Sequence, residues 1–455
     1  MAKSQQQPAV YFSSLELENV RCFGERQVLE LTDDKGQPVR WTLLLGDNGV
    51  GKTTLLQCLA WMRPVPAGLP PGTDEEREPQ KIEPALTNEE NHVFNSLLRA
   101  GANITLDLRA TLTIGQSLGE TTRRARKIET GIRVQGKQGQ LQSHELTTNN
   151  FPRNIKSLAR FELPIFAYGA ARHMGISNLD KSELSDPLAS LFLNSGELYD
   201  AEEILLNLDY LAEKRKGRHH KKRLQQVKQL LATVLPDVSG IQILGPKVLG
   251  HPDEPSGVRF DTPYGPVPLS GLSLGYKTTL AWALDLATRI YERYPDSSDP
   301  LAEPAIVLVD EIDLHLHPRW QRQIMAYLTE HFSNTQFIAT AHSPLMVQAA
   351  TNANLVVLHE KDGQVQIENR PQFVESWRVD QILTSELFGV PARSPRIQSL
   401  IEERYTLLDK LTRSRSEEER LKELDAELNN LPTASREDNE AMELIRQVAA
   451  LIKGE

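Results

Sequence analysis

Cysteine is scarce in this sequence. Cys22 and Cys58 are the only two in 455 residues, and they share no metal-ligand spacing with each other or with nearby histidines. That excludes a disulfide framework and suits a reducing compartment. No apolar run reaches the roughly 18 residues that a membrane-spanning helix needs. The opening MAKSQQQPAV has no basic segment leading into an apolar one, so it does not read as a signal peptide. A cytoplasmic protein with no membrane contact is expected. Internal repeats are missing. So is an excess of positive charge: 51 basic against 61 acidic residues give a formal net charge of −10. A chain coated all over in nucleic acid is thereby excluded, although a local basic groove is not.

What remains is an ordinary globular composition, 39% apolar and 25% charged. The length suffices for two or three domains. Four elements of phosphate chemistry occur in order: GDNGVGKT at 46–53, LSLGY at 272–276, IVLVDE at 306–311 and ATAHS at 339–343.

The first matches G-x-x-x-x-G-K-[ST] through Gly46, Asp47, Asn48, Gly49, Val50, Gly51, Lys52 and Thr53. It follows an apolar run, WTLLL, and leads into a helical pattern, TTLLQCLAWM. That context separates a phosphate loop from a chance match. Glycines let backbone N–H groups turn toward a β-phosphate, Lys52 reaches the β- and γ-phosphates, and the Thr53 hydroxyl coordinates Mg²⁺. In IVLVDE, Asp310 emerges from a buried strand where it can hold the Mg²⁺ shell, and Glu311 can polarise an attacking water. His315 and His317 flank Leu316; without further ligands at defined spacing, a loop role is preferred to zinc. Ser273 and Gly275 open a helix running to about residue 293, whose free N–H groups can face an anion. In isolation this element also reads as a plain N-capped helix. His342 lies just past a strand end, where a neutral imidazole can meet a γ-phosphate or a water.

Residues 11–31 alternate as two strands joined by a turn at Gly24. Pro64, Pro66, Pro70, Pro71 and Pro84 mark 63–90 as a loop or excursion. Residues 103–135 read as an antiparallel hairpin, with Arg123, Arg124, Arg126 and Lys127 exposed. Residues 186–236 read as a helical hairpin with a basic tip or shaft. Buried parallel strands are expected at 304–309, 336–341 and 354–358, alternating with helices at 318–332 and 344–350. Short leucine spacing (Leu421, Leu424, Leu428, Leu431) and Met442, Ile445, Ala449, Ile452 mark helices in the C-terminal part.

LENVRCF at 17–23, the phosphate loop, LSLGY, LVDEIDLHLHP and TAHSP resemble the ABC-type ATPases of the SMC, RecF and OLD branch. The DEIDLHLHP run, Tyr276 and FAYGAARHMG at 166–175 look like the ATPase subunits of bacterial phage-defence systems of the Septu type. The resemblance implies an α/β, SMC/RecF-like P-loop ATPase head with a mixed sheet, a short helical-hairpin insertion and a helical C-terminal segment. It divides the chain into an N-terminal lobe (10–185), a helical insertion (186–255), a C-terminal lobe (256–370) and the helical segment (371–455). It implies a Walker A from Gly46 to Thr54, a signature at Leu272–Tyr276, a Walker B Asp310 with catalytic Glu311, a D-loop around Leu316 and His317, and a switch histidine at His342. Arg21 is implied beside the nucleotide. No glutamine is identified for the Q-loop, and YGAAR, with Tyr168 and Arg172, is the candidate for that region. ATP and Mg²⁺ are the implied cofactors. Because one chain cannot complete a signature-dependent site, a homodimer is implied, with higher assembly through the C-terminal helices.

The segment 186–236 has no room for a long coiled coil. Residues 373–455 contain neither D-x-D nor an HNH-like cluster, so a separate effector such as a nuclease is expected. The run KRKGRHHKKR at 214–223 reads as a solvated tip, as a phosphate-backbone contact or as a surface for an acidic partner. Three alternatives to a defence ATPase stay open: a nucleotide-stabilised scaffold with negligible turnover, a DNA-repair RecF/SMC-like ATPase and a transporter subunit.

Overall fold

A computed structural model describes residues 8–67, 81–85, 96–99, 103–115, 118, 125–137, 140–150, 163–175, 186–193, 197–214, 218–235, 237–245, 257–370, 377–385, 387–390, 393–410 and 413–429. Arg123, Arg124, the middle of the proline-rich stretch, Arg215, Lys216, Leu431 and the 442–452 repeat lie outside them.

Strands β1 (Val10–Glu18) and β2 (Gln27–Glu30) pair antiparallel, with Leu15 opposite Leu29. β3 (Trp41–Gly46) is the WTLLL run, and all three leucines are buried. Each contributes about 1.5–3 kcal/mol by leaving water. Helix α1 (Lys52–Trp61) follows. The proline-bearing stretch is not all loop: β4 (Pro64–Ala67) and β5 (Lys81–Pro84) form a two-stranded antiparallel pair. Proline is tolerated there because such a strand has a free edge for its missing N–H.

Strands β6 (Asn103–Ile114), β7 (Arg126–Lys137) and β8 (Gln140–Asn149) complete a sheet ordered β2-β1-β6-β7-β8. It buries Leu106, Leu108, Leu112, Ile128 and Ile132 against β1 and α1, and leaves Arg126 and Lys127 exposed.

Next come β9 (Ile165–Tyr168), β10 (His173–Met174), α2 (Ala189–Phe192) and β11 (Glu197–Leu198). The helical hairpin is α3 (Ala201–Lys214) and α4 (Arg218–Val234). Strands β12 (Gly240–Ile243), β13 (Val258–Thr262) and β14 (Gly265–Pro268) form a small antiparallel sheet. Helix α5 (Leu274–Arg293) is buried nearly all round, as an interior helix must be when apolar residues occupy most faces.

β15 (Ala305–Val309) and β16 (Thr335–Thr340) are fully buried. Between them the expected single helix divides into α6 (Pro318–Gln321) and α7 (Ile324–His331). The amide of Gln323 bonds to Trp320 three residues back, at 2.8 Å, so the turn tightens and the ladder breaks. Then follow α8 (Pro344–Ala349), β17 (Asn354–Lys361) and β18 (Gln364–Asn369).

The second sheet is ordered β18-β17-β3-β16-β15-β9. Its inner pairings are parallel, and β18 pairs antiparallel with β17. The architecture is therefore α/β, with a mixed sheet and a helical-hairpin insertion. The two sheets are stitched at Gln336, whose amide accepts from Phe12 N at 2.9 Å and donates to Phe12 O at 2.8 Å. This satisfies backbone groups beside the register shift between Phe12 and Ser14.

The chain divides into two compact units, Met1–Ile382 and Leu383–Glu455, and α9 (Val379–Thr384) spans the division. In the second unit, α10 (Pro395–Leu408) and α11 (Arg415–Asn429) run antiparallel, with Leu407 and Leu424 buried. Arg420 bonds Glu403 at 2.9 Å and Arg404 bonds Asp425 at 2.6 Å across the pair. Among the described residues, no helix is long and apolar enough to cross a membrane.

Candidate active site

The central strand β3 delivers Gly46 into a loop that only glycine tolerates at two points. Gly46 has φ of 137° and Gly51 has φ of 88°. A Cβ at Gly46 would meet the Leu358 carbonyl at 2.3 Å, and one at Gly51 would meet Cys22 Sγ at 2.6 Å. The loop backbone is thus pressed against β17 and the β1–β2 turn. Lys52 Nζ donates to the Gly46 and Asp47 carbonyls, both at 2.7 Å, which closes the loop on itself. Burial draws the Lys52 pKa down, against the opposing pull of Asp310. Helix α1 begins without a side-chain cap, so its first N–H groups are available to an anion. Arg21 lies along the first turns of α1, where its Nη1 donates to Thr54 Oγ1 and Gln57 Oε1, both at 3.0 Å.

Strand β15 carries Asp310 to the same place. Its Oδ2 accepts from Thr53 Oγ1 at 2.7 Å, and its Oδ1 accepts from Thr340 Oγ1 at 2.7 Å. A hydroxyl and a carboxylate form a hard-oxygen pair. They fit Mg²⁺, which keeps water and substrate phosphates as its other ligands, better than a cation needing an all-protein cage. Glu311 follows at φ 48°, its amide bonded to Thr340 Oγ1 at 2.7 Å. His342 is exposed, and its backbone N–H donates to Asp313 Oδ2 at 3.0 Å. Gln321 ties this turn together. It donates to Leu316 O at 3.1 Å and accepts from Ser343 Oγ at 2.7 Å. His317 Nδ1 accepts from Arg319 N and so caps α6, a local structural role.

Ser273 is exposed at the extended N-cap of α5 and makes no capping hydrogen bond. Gly275 packs so closely on the 315 turn that a Cβ there would meet His315 O at 2.3 Å. The ring of Tyr276 stands edge-on to Trp320 at 4.5 Å.

Tyr168 and Arg172, the candidates for the Q-loop region, are turned inward. The Tyr168 hydroxyl donates to Asp285 Oδ2 at 2.8 Å, within the interior of α5. Arg172 is buried and bonds the main-chain carbonyls of Gly169, Asp310 and Glu311. The basic run is partly consumed as well. Lys222 donates to Ser298 O at 2.6 Å and Arg223 to Pro295 O at 3.0 Å, with the guanidinium 5.0 Å over the Tyr291 ring. Lys214 and Lys221 stay exposed. The sequence reading missed Thr340, Asp313 and Gln321, although all three sit inside or beside motifs it did mark.

The family described as "AAA domain, putative AbiEii toxin, Type IV TA system" matches residues 42–347. A Septu protein PtuA from Bacillus mycoides (strain KBAB4) is 23% identical over 425 residues, covering 92% of this chain and 50% of that protein. A "Retron Ec83 probable ATPase" from Escherichia coli is 31% identical over 235 residues, covering 50% of this chain and 40% of the other. The chain spans about half the length, or less, of these curated relatives. Among solved structures, the SMC head domain from Thermotoga maritima aligns with a TM-score of 0.40 at 14% identity, over 79% of this chain and 99% of that one.

Proposed function

The chain belongs to this AAA-domain family, and on that premise we propose that it is an ATP-hydrolysing subunit of a bacterial anti-phage defence assembly. Two copies close head to head on ATP, and closure controls a separate effector such as a nuclease. The observation that carries the reading is the 2.7 Å contact between Thr53 and Asp310, which joins the glycine loop to a strand end far along the chain. The names of the relatives support the defence context.

In this reading, the backbone N–H groups from Gly46 to Thr54 wrap the β-phosphate, and Lys52 exchanges its two carbonyl partners for phosphate oxygens. Thr53 and Asp310 would hold Mg²⁺, which would supply positive charge to the phosphates when bound. Glu311 orients a water and accepts its proton as the water oxygen bonds to the γ-phosphorus. The bond to the β–γ bridging oxygen breaks, and its electron pair leaves with ADP. His342 hydrogen-bonds a γ-phosphate oxygen. Ser273 and the N-terminus of α5 from the second copy face that phosphate, with Gly275 permitting the close seat of the helix.

The test is mass in solution. With ATP and Mg²⁺, Glu311→Gln is expected to shift from monomer to dimer, and adding Ser273→Arg is expected to abolish the shift. A mass that ignores nucleotide would overturn the composite site and leave a constitutive scaffold.

Nucleic acid is the proposed trigger, contacted through 214–223, where Lys214 and Lys221 remain available. Replacing both by glutamate is expected to reduce the slope of log affinity against log salt by about 2 in a duplex-binding titration. An unchanged slope would remove this run from the interface.

A further inference from the structure

Glu311 occupies the left-handed region, which few residues other than glycine adopt. Such a conformation persists only where its surroundings over-determine it. Here the peptide groups on both sides are held. Thr340 accepts from the Glu311 amide through its hydroxyl at 2.7 Å, and from the Ile312 amide through its carbonyl at 3.0 Å. Arg172 donates to the Asp310 carbonyl at 2.6 Å and to the Glu311 carbonyl at 2.9 Å. Relaxing φ to ordinary negative values would swing the Cα–Cβ bond, and the carboxylate with it, away from its present direction.

Arg172 is itself fixed. A third hydrogen bond runs to Gly169 O at 3.0 Å, and only 4% of its surface is exposed. Burial brings its pKa down to about 10, so the guanidinium keeps its charge at neutral pH. The segment that carries it starts at Tyr168, whose carbonyl accepts from Asp310 N at 2.8 Å and whose hydroxyl is anchored on α5. One short stretch of chain therefore supports both acidic residues at the end of β15.

We propose that Arg172 and Thr340 are positioning residues for hydrolysis: together they hold the Glu311 backbone in its left-handed conformation, so that the carboxylate meets the attacking water. This rests on the reading of Glu311 as the general base. A lysine at 172 lacks the planar fork that reaches three carbonyls at once, and valine at 340 lacks the hydroxyl.

The experiment compares wild type, Arg172→Lys, Thr340→Val, Thr340→Ser and Glu311→Gln in ATP turnover and ATP affinity. Arg172→Lys is expected to lose about 100-fold in kcat, the effect of a small misplacement of a reacting group, with KM and affinity unchanged. In the Glu311→Gln background the same change is expected to add no further loss, because residues acting as a unit are not additive. Thr340→Ser is expected to retain the activity that Thr340→Val loses. The Thr340 hydroxyl also donates to Asp310 Oδ1 at 2.7 Å. The Thr340 variants therefore decide the matter, if Arg172→Lys does not fold, by whether Thr340→Val loses kcat with its Mg²⁺ and ATP affinities unchanged; a weakened Mg²⁺ affinity would overturn the clamp. Wild-type turnover in Arg172→Lys, a loss that multiplies on Glu311→Gln, or a rise in KM alone would overturn the clamp. Wild-type turnover in Glu311→Gln would overturn the base assignment and the clamp together, a distinguishable result.

Discussion

Glu311→Gln is expected to lower steady-state phosphate release by about 10²–10⁴-fold, the range for removal of a general base, the role proposed for Glu311, and to leave ATP affinity intact. The carboxamide has the shape of the carboxylate, so the hydrogen bonds of its main chain to Thr340 and Arg172 survive. The groups proposed to hold the phosphates and Mg²⁺, Lys52, Thr53 and Asp310, are untouched. In the proposed mechanism, what disappears is the ability to take a proton from water. Lys52→Ala is expected to fail one step earlier, at nucleotide binding itself, because the loop then lacks its cation. Phosphate release and fluorescent-nucleotide titration on both variants check the pair of outcomes. Equal turnover in wild type and Glu311→Gln would end the hydrolytic reading.

The second large effect is on stability. Asp285→Ala is expected to cost about 3–5 kcal/mol, because it removes the carboxylate beside a buried cation. Asp285 is fully buried and Arg289 is 7% exposed. Arg289 Nε donates to Asp285 at 2.7 Å, one turn along α5, and the Tyr168 hydroxyl donates at 2.8 Å from β9. Burial pulls the Arg289 pKa down, yet the attraction of Asp285 wins and the net shift is upward. Tyr168 is raised well above its ordinary value, by burial first and by Asp285 next. Replacing both Asp285 and Arg289 by leucine is expected to restore part of the loss, because both charges are then gone, while the Tyr168 hydroxyl still lacks its acceptor. Urea unfolding followed by tryptophan fluorescence reads both variants, with Trp282 reporting from 5.7 Å beside Tyr168. A loss below about 1 kcal/mol in Asp285→Ala would show that the ion pair holds little, as for exposed pairs.

Local signals made much of the head legible. WTLLL followed by GDNGVGKT carries its strand, its glycine turns and its helix within one window, and the same holds for IVLVDE. The hairpin at 103–135 and the helices at 201–234 were readable from their spacing. The clamp around Glu311 was not. Its bonds follow from register, which sets Val309 opposite Ala339 and so brings Thr340 beside Asp310. Among the described residues, the acceptors of Arg172 are main-chain carbonyls, and a carbonyl leaves no mark in a sequence. The same reason hid the docking of Lys222 and Arg223 on Ser298 and Pro295. A run of seven basic residues looks uniformly solvated until the acceptors at the end of α5 are in view. The paired strands at 64–84 were masked by prolines, which ordinarily argue against a strand.

The placement of β3 has a consequence for how the chain is made. This strand lies between β16 and β17, and both are synthesised long after it. At about 5–20 residues per second, a ribosome needs roughly 15–60 s to pass from Gly46 to Thr335. Throughout that interval the apolar WTLLL segment has no sheet partner, while β1, β2, β6, β7 and β8 can already assemble. The nascent protein therefore carries an exposed apolar strand, and the glycine loop that follows it gains its flanking strands late, when β16 and β17 add on either side.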